Sequence, residues 1–181
     1  MLEPVTPAAF HLSADDLRVV AGFVATAAEA LLPFYEDGHP GDARPRDAVA
    51  AAWLFVGGAP RTALQRTASM DAHRAAASAA DEVARLAAQA AGDAASAAYL
   101  HPIAKANQVG HILRADANAA RVAEINAGSD PAAAQHAIAR AADRATPELR
   151  GILRRYPSAP AGRSRTAQLM ETLDRVLRTT P

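Results

Sequence analysis

Roughly a quarter of this chain is alanine, gathered in runs such as Ala75-Ala76-Ala77 and Ala132-Ala133-Ala134, an excess over ordinary globular usage. Alanine has the best helix propensity and almost no bulk, so such a chain folds as helices that approach closely through small side chains. Half of the residues are hydrophobic yet only 4% are aromatic, which leaves alanine and the aliphatic residues to build the core. No apolar–polar alternation lasts long enough for a strand, and no repeat of solenoid period is present. At 181 residues the expectation is an all-α, single-domain bundle of about seven to eight helices.

Caps and breakers divide the chain. Ser13 precedes Asp15, Asp16 and a helically spaced apolar series from Leu17 to Leu31, predicting a first helix from about Ala14 to Leu32 that Pro33 interrupts. Pro45 suits the first turn of a second helix, which ends at Gly57-Gly58. A third begins near Arg61 or Thr62 and runs toward Ala77; a fourth extends from Asp81 to Leu100, where Pro102 kinks or breaks the rod before a fifth reaches Asn126. Asp130-Pro131 opens a sixth helix to about Arg144, and Thr146-Pro147-Glu148 a short seventh. The Pro/Gly/Ser-rich stretch after Tyr156 is the one linker, followed by an amphipathic helix with Leu169, Met170, Leu173, Val176 and Leu177. The predicted layout is an N-terminal arm over 1–12, a helical domain over 13–156, and a linker with C-terminal helix over 157–181. That helix docks on the bundle or joins a second copy as a homodimer.

Charge and motif content exclude more than they assign. Nineteen basic and nineteen acidic residues cancel, so no global field draws nucleic acid or an anionic membrane to the surface. With no cysteine, disulfides and thiolate metal sites are excluded. The N-terminus lacks the pattern of a secretory signal and no apolar segment reads as a membrane span, so a cytoplasmic location is expected. There is no phosphate loop, dinucleotide fingerprint or His-Glu-x-x-His, and no two of the six histidines are spaced to ligate from one helical face. Neither a metal nor a cofactor is expected.

The chemistry-bearing residues concentrate on the fifth predicted helix. At 100° per residue, His101, Lys105, Gln108 and Asp116 share a side with Val109 and Ile112, while Asn107, Arg114, Asn118 and Arg121 occupy the opposite, solvent-facing side. His111 sits at the border. Polar groups on an inward face persist by pairing, by lining a wet cavity or through function, and each residue here also has an ordinary structural role open to it. A second constellation, Asp42-Ala43-Arg44-Pro45-Arg46 at a helix start, offers guanidinium groups and free amides to an anion, or simply makes surface ion pairs. His73 and His136 have ordinary readings as core or surface imidazoles.

Together these residues resemble the bacterial immunity protein family of small helical proteins, the fifth immunity group and its relatives, whose members sometimes carry an exonuclease-subunit label. The resemblance covers roughly Leu12 to Ala142. It rests on Asp16-Leu17, His39-Pro40, Arg44-Pro45-Arg46-Asp47-Ala48, Ala72-His73-Arg74-Ala75-Ala76, Ala98-Tyr99-Leu100-His101-Pro102, Gln108-Val109, His111-Ile112-Leu113 and Ala123-Glu124. It implies an all-helical fold and a cytoplasmic antidote that binds and blocks a toxin. Lys105 and Asp116 depart from the family pattern, and nothing in the chain supports the exonuclease label.

Two function classes remain at this stage. One is an immunity-type protein that occludes a partner toxin without chemistry of its own. The other is a small-molecule-binding protein or biosynthetic enzyme. There His101 and His111 would be general acids or bases and Lys105 a base or nucleophile. Gln108, Asp116 and His73 would contact the ligand, and Asp42, Arg44 and Arg46 would form the carboxylate site. A closed cavity around the stripe would favour the second class, and an exposed apolar patch elsewhere the first.

Overall fold

A hydrophobic helix of 23 residues, α1 (Ala14–Glu36), is the spine on which the other helices assemble in the computed structural model, which describes residues 9–180. The first eight residues of the arm lie outside the described residues. Seven more helices follow: α2 (Arg44–Val56), α3 (Ala63–Ser78), α4 (Glu82–Ser96), α5 (Gly110–Asn126), α6 (Pro131–Arg144), α7 (Pro147–Leu153) and α8 (Arg165–Thr179). Among the described residues the only β-type pairing is an isolated antiparallel bridge between Ala9 and Ile103. The fold is all-α, as its alanine content dictates.

The capping residues work as their chemistry requires. Ser13 and Asp16 form a reciprocal capping box at the start of α1, with Asp16 N donating to Ser13 Oγ and Ser13 N to Asp16 Oδ2, each at 3.0 Å. Thr62, Asp81, Asp130, Thr146 and Ser164 each accept from an amide in the first turn of the helix that follows. Contrary to the expected stop, α1 continues through Pro33 to Glu36. Proline this close to a helix end removes only one backbone bond, and the extra turn buries Tyr35, whose hydroxyl donates to Asp42 Oδ2 at 2.5 Å. A correction also applies to the membrane reading: α1 is long and apolar enough to cross a membrane by length and composition. Here it is a core helix, with Val20, Ala21, Val24, Ala25 and Ala28 sealed among its neighbours.

The largest departure lies between α4 and α5. The expected fourth helix stops at Ser96, and Ala97–Tyr99 tighten into one 3₁₀ turn. His101 to Lys105 are irregular, Ala106–Val109 make a second 3₁₀ turn, and α5 begins only at Gly110. Pro102 cannot donate and holds the residue before it out of helical conformation. The freed Pro102 carbonyl accepts from Phe10 N at 3.1 Å, so the N-terminal segment is bound against this break.

α4 packs most extensively on α1 and α3, and its alanines from Ala84 to Ala95 are buried to 1% exposure or less. Such small side chains let helix axes approach and bury backbone against backbone. α5 is covered by α4, α6, α8 and α1 together. α8 lays Leu169, Leu173 and Leu177 into its own bundle, and its flanks are pinned by charge. Arg165 Nη2 donates to buried Glu124 at 2.6 Å, while buried Asp174 accepts from Ala159 N at 3.0 Å and from Arg178 Nε at 2.9 Å. The apolar face of α8 is buried within its own chain.

Candidate functional site

The late start of α5 takes the predicted stripe apart. His101 and Lys105 sit in the irregular segment with exposed side chains, not on the inward face of a helix. Gln108 is buried, but its Oε1 accepts from His101 N at 3.2 Å, a bond that ties the break together. Asp116 is buried on α5 and turned to α6, where Arg144 Nη2 donates to Oδ1 at 2.9 Å. His111 keeps its border position, with Nδ1 at 3.4 Å from Ser96 Oγ. Of the four residues predicted to share a side, Gln108 stays beside His101 through that bond, while Lys105 is exposed and Asp116 faces α6.

The opposite face corrects the sequence reading further. Asn118, expected in solvent, is fully buried and donates to Leu86 O at 3.1 Å and Gln89 Oε1 at 3.2 Å. Arg114 clamps Asp93 of α4, its Nε to Oδ2 at 2.7 Å and its Nη2 to Oδ1. Arg121 bridges Glu82 and Glu124. Because α5 is enclosed on all sides, its alanines carry no amphipathic signal, and polar residues mark ties between helices rather than a wet face.

Asp93 is the residue sequence reasoning missed. It has no solvent exposure, and around it gather Arg114, His73 with Nε2 at 3.6 Å from Oδ1, and His111. The His73 ring lies so close to α4 that a Cβ at Gly92 would come within 2.8 Å of it. Glycine mid-helix costs about 1 kcal/mol relative to alanine, so Gly92-Asp93 was the available signal for a close contact. Burial lowers the pKa of both His73 and His111, with Arg114 acting in the same direction and Asp93 opposing. Both imidazoles are thus held toward the neutral form beside a buried ion pair. Among the described residues no three His, Asp or Glu side chains converge as metal ligands.

The second predicted constellation is assembled but already occupied by its own carboxylates. Arg44 grips Asp42 with Nε at 2.8 Å and Nη2 at 2.6 Å, and Arg46 pairs with Glu36 at 2.5 Å. The Arg44 guanidinium holds the Asp42 carboxyl well below the usual carboxylate range, and His39 stacks on Tyr35 at 4.3 Å. His136 is exposed on α6.

A different surface carries two of the exposed large apolar side chains, Leu54 and Leu64, while Phe34 stands exposed at the end of α1. α2 and α3 flank a groove of about 350 Å³, walled by Ala50, Ala51, Ala68, Leu54 and Leu64 and edged by Arg44, Asp47 and Asp71. Leu54 is 55% exposed and Leu64 49%, and Met70 of α3 is 53% exposed. Isolated exposed leucines are ordinary; two flanking one groove with a polar edge are the anatomy of a contact surface.

A model of the family described as Imm-5 like putative immunity protein matches residues 11–144, the span from just before α1 to the last residue of α6. No curated protein and no solved structure matches the chain.

Proposed function

From the premise that the chain belongs to the family of Imm-5 like putative immunity proteins, we propose that it neutralises a partner toxin by occlusion, using the α2–α3 face as its docking surface. The observation that carries this reading is the exposure of Leu54 and Leu64 on a preformed groove, presented by helices whose inner sides are locked into the core. Leu54 and Leu64 would be the anchors, desolvated on binding, and Asp47 and Asp71 the polar edge that excludes water around them. With Arg44 paired to Asp42 and Asp71 to Arg74, Asp47 is the edge charge left without an ion pair among the described residues, and it favours a partner that brings a hydrogen-bond donor or a cation to this groove. No bond is made or broken in such a function: the antidote works by shape, burial and complementary charge. His101 and Lys105 lie outside α5 and Asp116 is paired to Arg144, an arrangement that supports occlusion over catalysis from one helical stripe.

The test is co-expression in a sensitive host with toxin genes drawn from the same genome, scored by growth. The wild-type chain restores growth, and the Leu54→Asp/Leu64→Asp double variant loses protection while its melting transition stays in place. Each anchor lost costs roughly tenfold or more in Kd. Full protection by the double variant, or none by the wild type, overturns the reading.

A further inference from the structure

A larger cleft, about 530 Å³, opens where α1, the end of α2, the end of α6 and the start of α7 meet. Its walls are Val19, Phe23, Trp53 and Leu149, and its floor is thinned at Gly22. The volume falls within the ~300–1,000 Å³ typical of ligand pockets. Arg144 closes one end. Its guanidinium lies 5.0 Å from the centre of the Phe23 ring, is 35% exposed, and spends one hydrogen bond among the described residues, on Asp116 Oδ1. The other charged residues at this cleft are differently placed: Arg18 is engaged by Asp15 at 2.8 Å and by Phe55 O, and Glu148 stands exposed at the start of α7.

We propose that this cleft binds a small amphipathic carboxylate, its apolar body between Val19, Phe23, Trp53 and Leu149 and its carboxylate on the guanidinium of Arg144. An arginine with most of its N–H fork unspent, plated on an aromatic ring at the end of an apolar slot, matches carboxylate geometry and charge.

The counter-ion already present can yield. Arg144 also lines an adjoining cleft of about 450 Å³ in which Asp116 sits among Ala27, Ala119 and Ala137. Asp116 Oδ2 has no partner among the described residues, and burial pushes this carboxyl up to about 7 against the pull of Arg144. Arg140 and Asp143 of α6 share its cleft, while α1 brings Thr26, Ala27 and Ala30, none titratable. When a second carboxylate reaches Arg144, Asp116 takes one proton from solvent, and the site remains neutral. Binding therefore strengthens as pH falls from 8 toward 6 and levels off once Asp116 is already protonated. The inference is independent of toxin occlusion, since it uses neither Leu54 nor Leu64.

The test is calorimetric titration of the full chain with phenylbutyrate, its amide, and phenylbutylamine. Phenylbutyrate is expected to saturate one site and to bind about tenfold or more tightly than the other two. Runs in buffers of different ionisation heat should show proton uptake on binding that grows as pH rises from 6 to 8. Gly22→Leu fills the cleft, its Cβ having room at 3.7 Å from Val56, and should abolish binding without lowering the melting transition. Arg144→Gln should bring the three probes to equal weak affinity; if that variant fails to fold, Gly22→Leu and the proton count decide. Equal binding of the three probes, phenylbutyrate binding that survives Gly22→Leu, no proton uptake at any pH from 6 to 8, or no saturable binding overturns the proposal.

Discussion

α5 holds two buried aspartate–arginine pairs, and they are built differently. Toward α4, Asp93 uses both oxygens on Arg114 and keeps His73 at 3.6 Å. Toward α6, Asp116 uses one oxygen on Arg144 and leaves the other unpartnered among the described residues. A buried charge with a bidentate partner repays much of its desolvation; one held by a single bond does not, which is why the Asp116 carboxyl is pushed up to about 7. The first pair is a clamp that holds α4 and α5 in register, and through His73 it reaches α3. The second is a contact poised to exchange partners. The clamped side supports the α2–α3 face, and the other side carries the ligand cleft.

Breaking the clamp has the largest expected effect. Asp93→Ala leaves the half-buried Arg114 without its carboxylate and should cost on the order of 2–4 kcal/mol in denaturant unfolding, with α3 losing order along with α4 and α5. The same kind of change on the other pair behaves oppositely. Because burial raises the folded Asp116 carboxyl above the ordinary aspartate range, its stabilising contribution is complete below about pH 4 and is lost as pH rises through about 7. The difference in unfolding free energy between wild type and Asp116→Asn, which cancels the other carboxylates, should therefore shift toward the variant by a few kcal/mol, on the order of 2–4, between pH 4 and pH 8.

Smaller effects sharpen the contrast. Gly92→Ala in the wild type meets the His73 ring and gains little, whereas in a His73→Ala background it should stabilise by about 1 kcal/mol through helix propensity. A double-mutant cycle by thermal melting checks it, and additive effects would show that the ring does not hold that position. Smallest of all is Lys105→Ala: an exposed residue in the irregular segment should change stability by less than about 0.5 kcal/mol, read from the same melts.

How much of this was legible in the sequence follows from where the signals lie. Caps at Ser13, Asp130 and Thr146 and the breakers Pro45, Pro102 and Pro131 announced most helix starts, because each acts locally on the backbone. Pro102 announced a break but not its extent: the eight residues before α5 depend on contacts with Phe10 and Gln108 that are distant in sequence or read only in space. The site failed for a related reason. In α5 alanine stands on every side, so the faces of the helix cannot be told apart by hydropathy, and Asn118 and Arg114 looked solvent-facing though α4 covers them. Asp93, in an alanine run on α4, was invisible for the same cause, and Gly92 beside it was the one local irregularity. The ion pairs of Arg44 and Arg46, by contrast, were readable from spacing as one of two roles, and the structure assigns them to Asp42 and Glu36.

The central claim is that a rigid α2–α3 face, and not the cleft beside Arg144, meets the toxin. Hydrogen–deuterium exchange of the chain, alone and with a toxin against which it protects, tests this most directly. Occlusion by the proposed face predicts new protection across residues 44–78 and unchanged exchange in the cleft segments around Gly22 and Leu149. Protection centred on those cleft segments with none over 44–78 would contradict it.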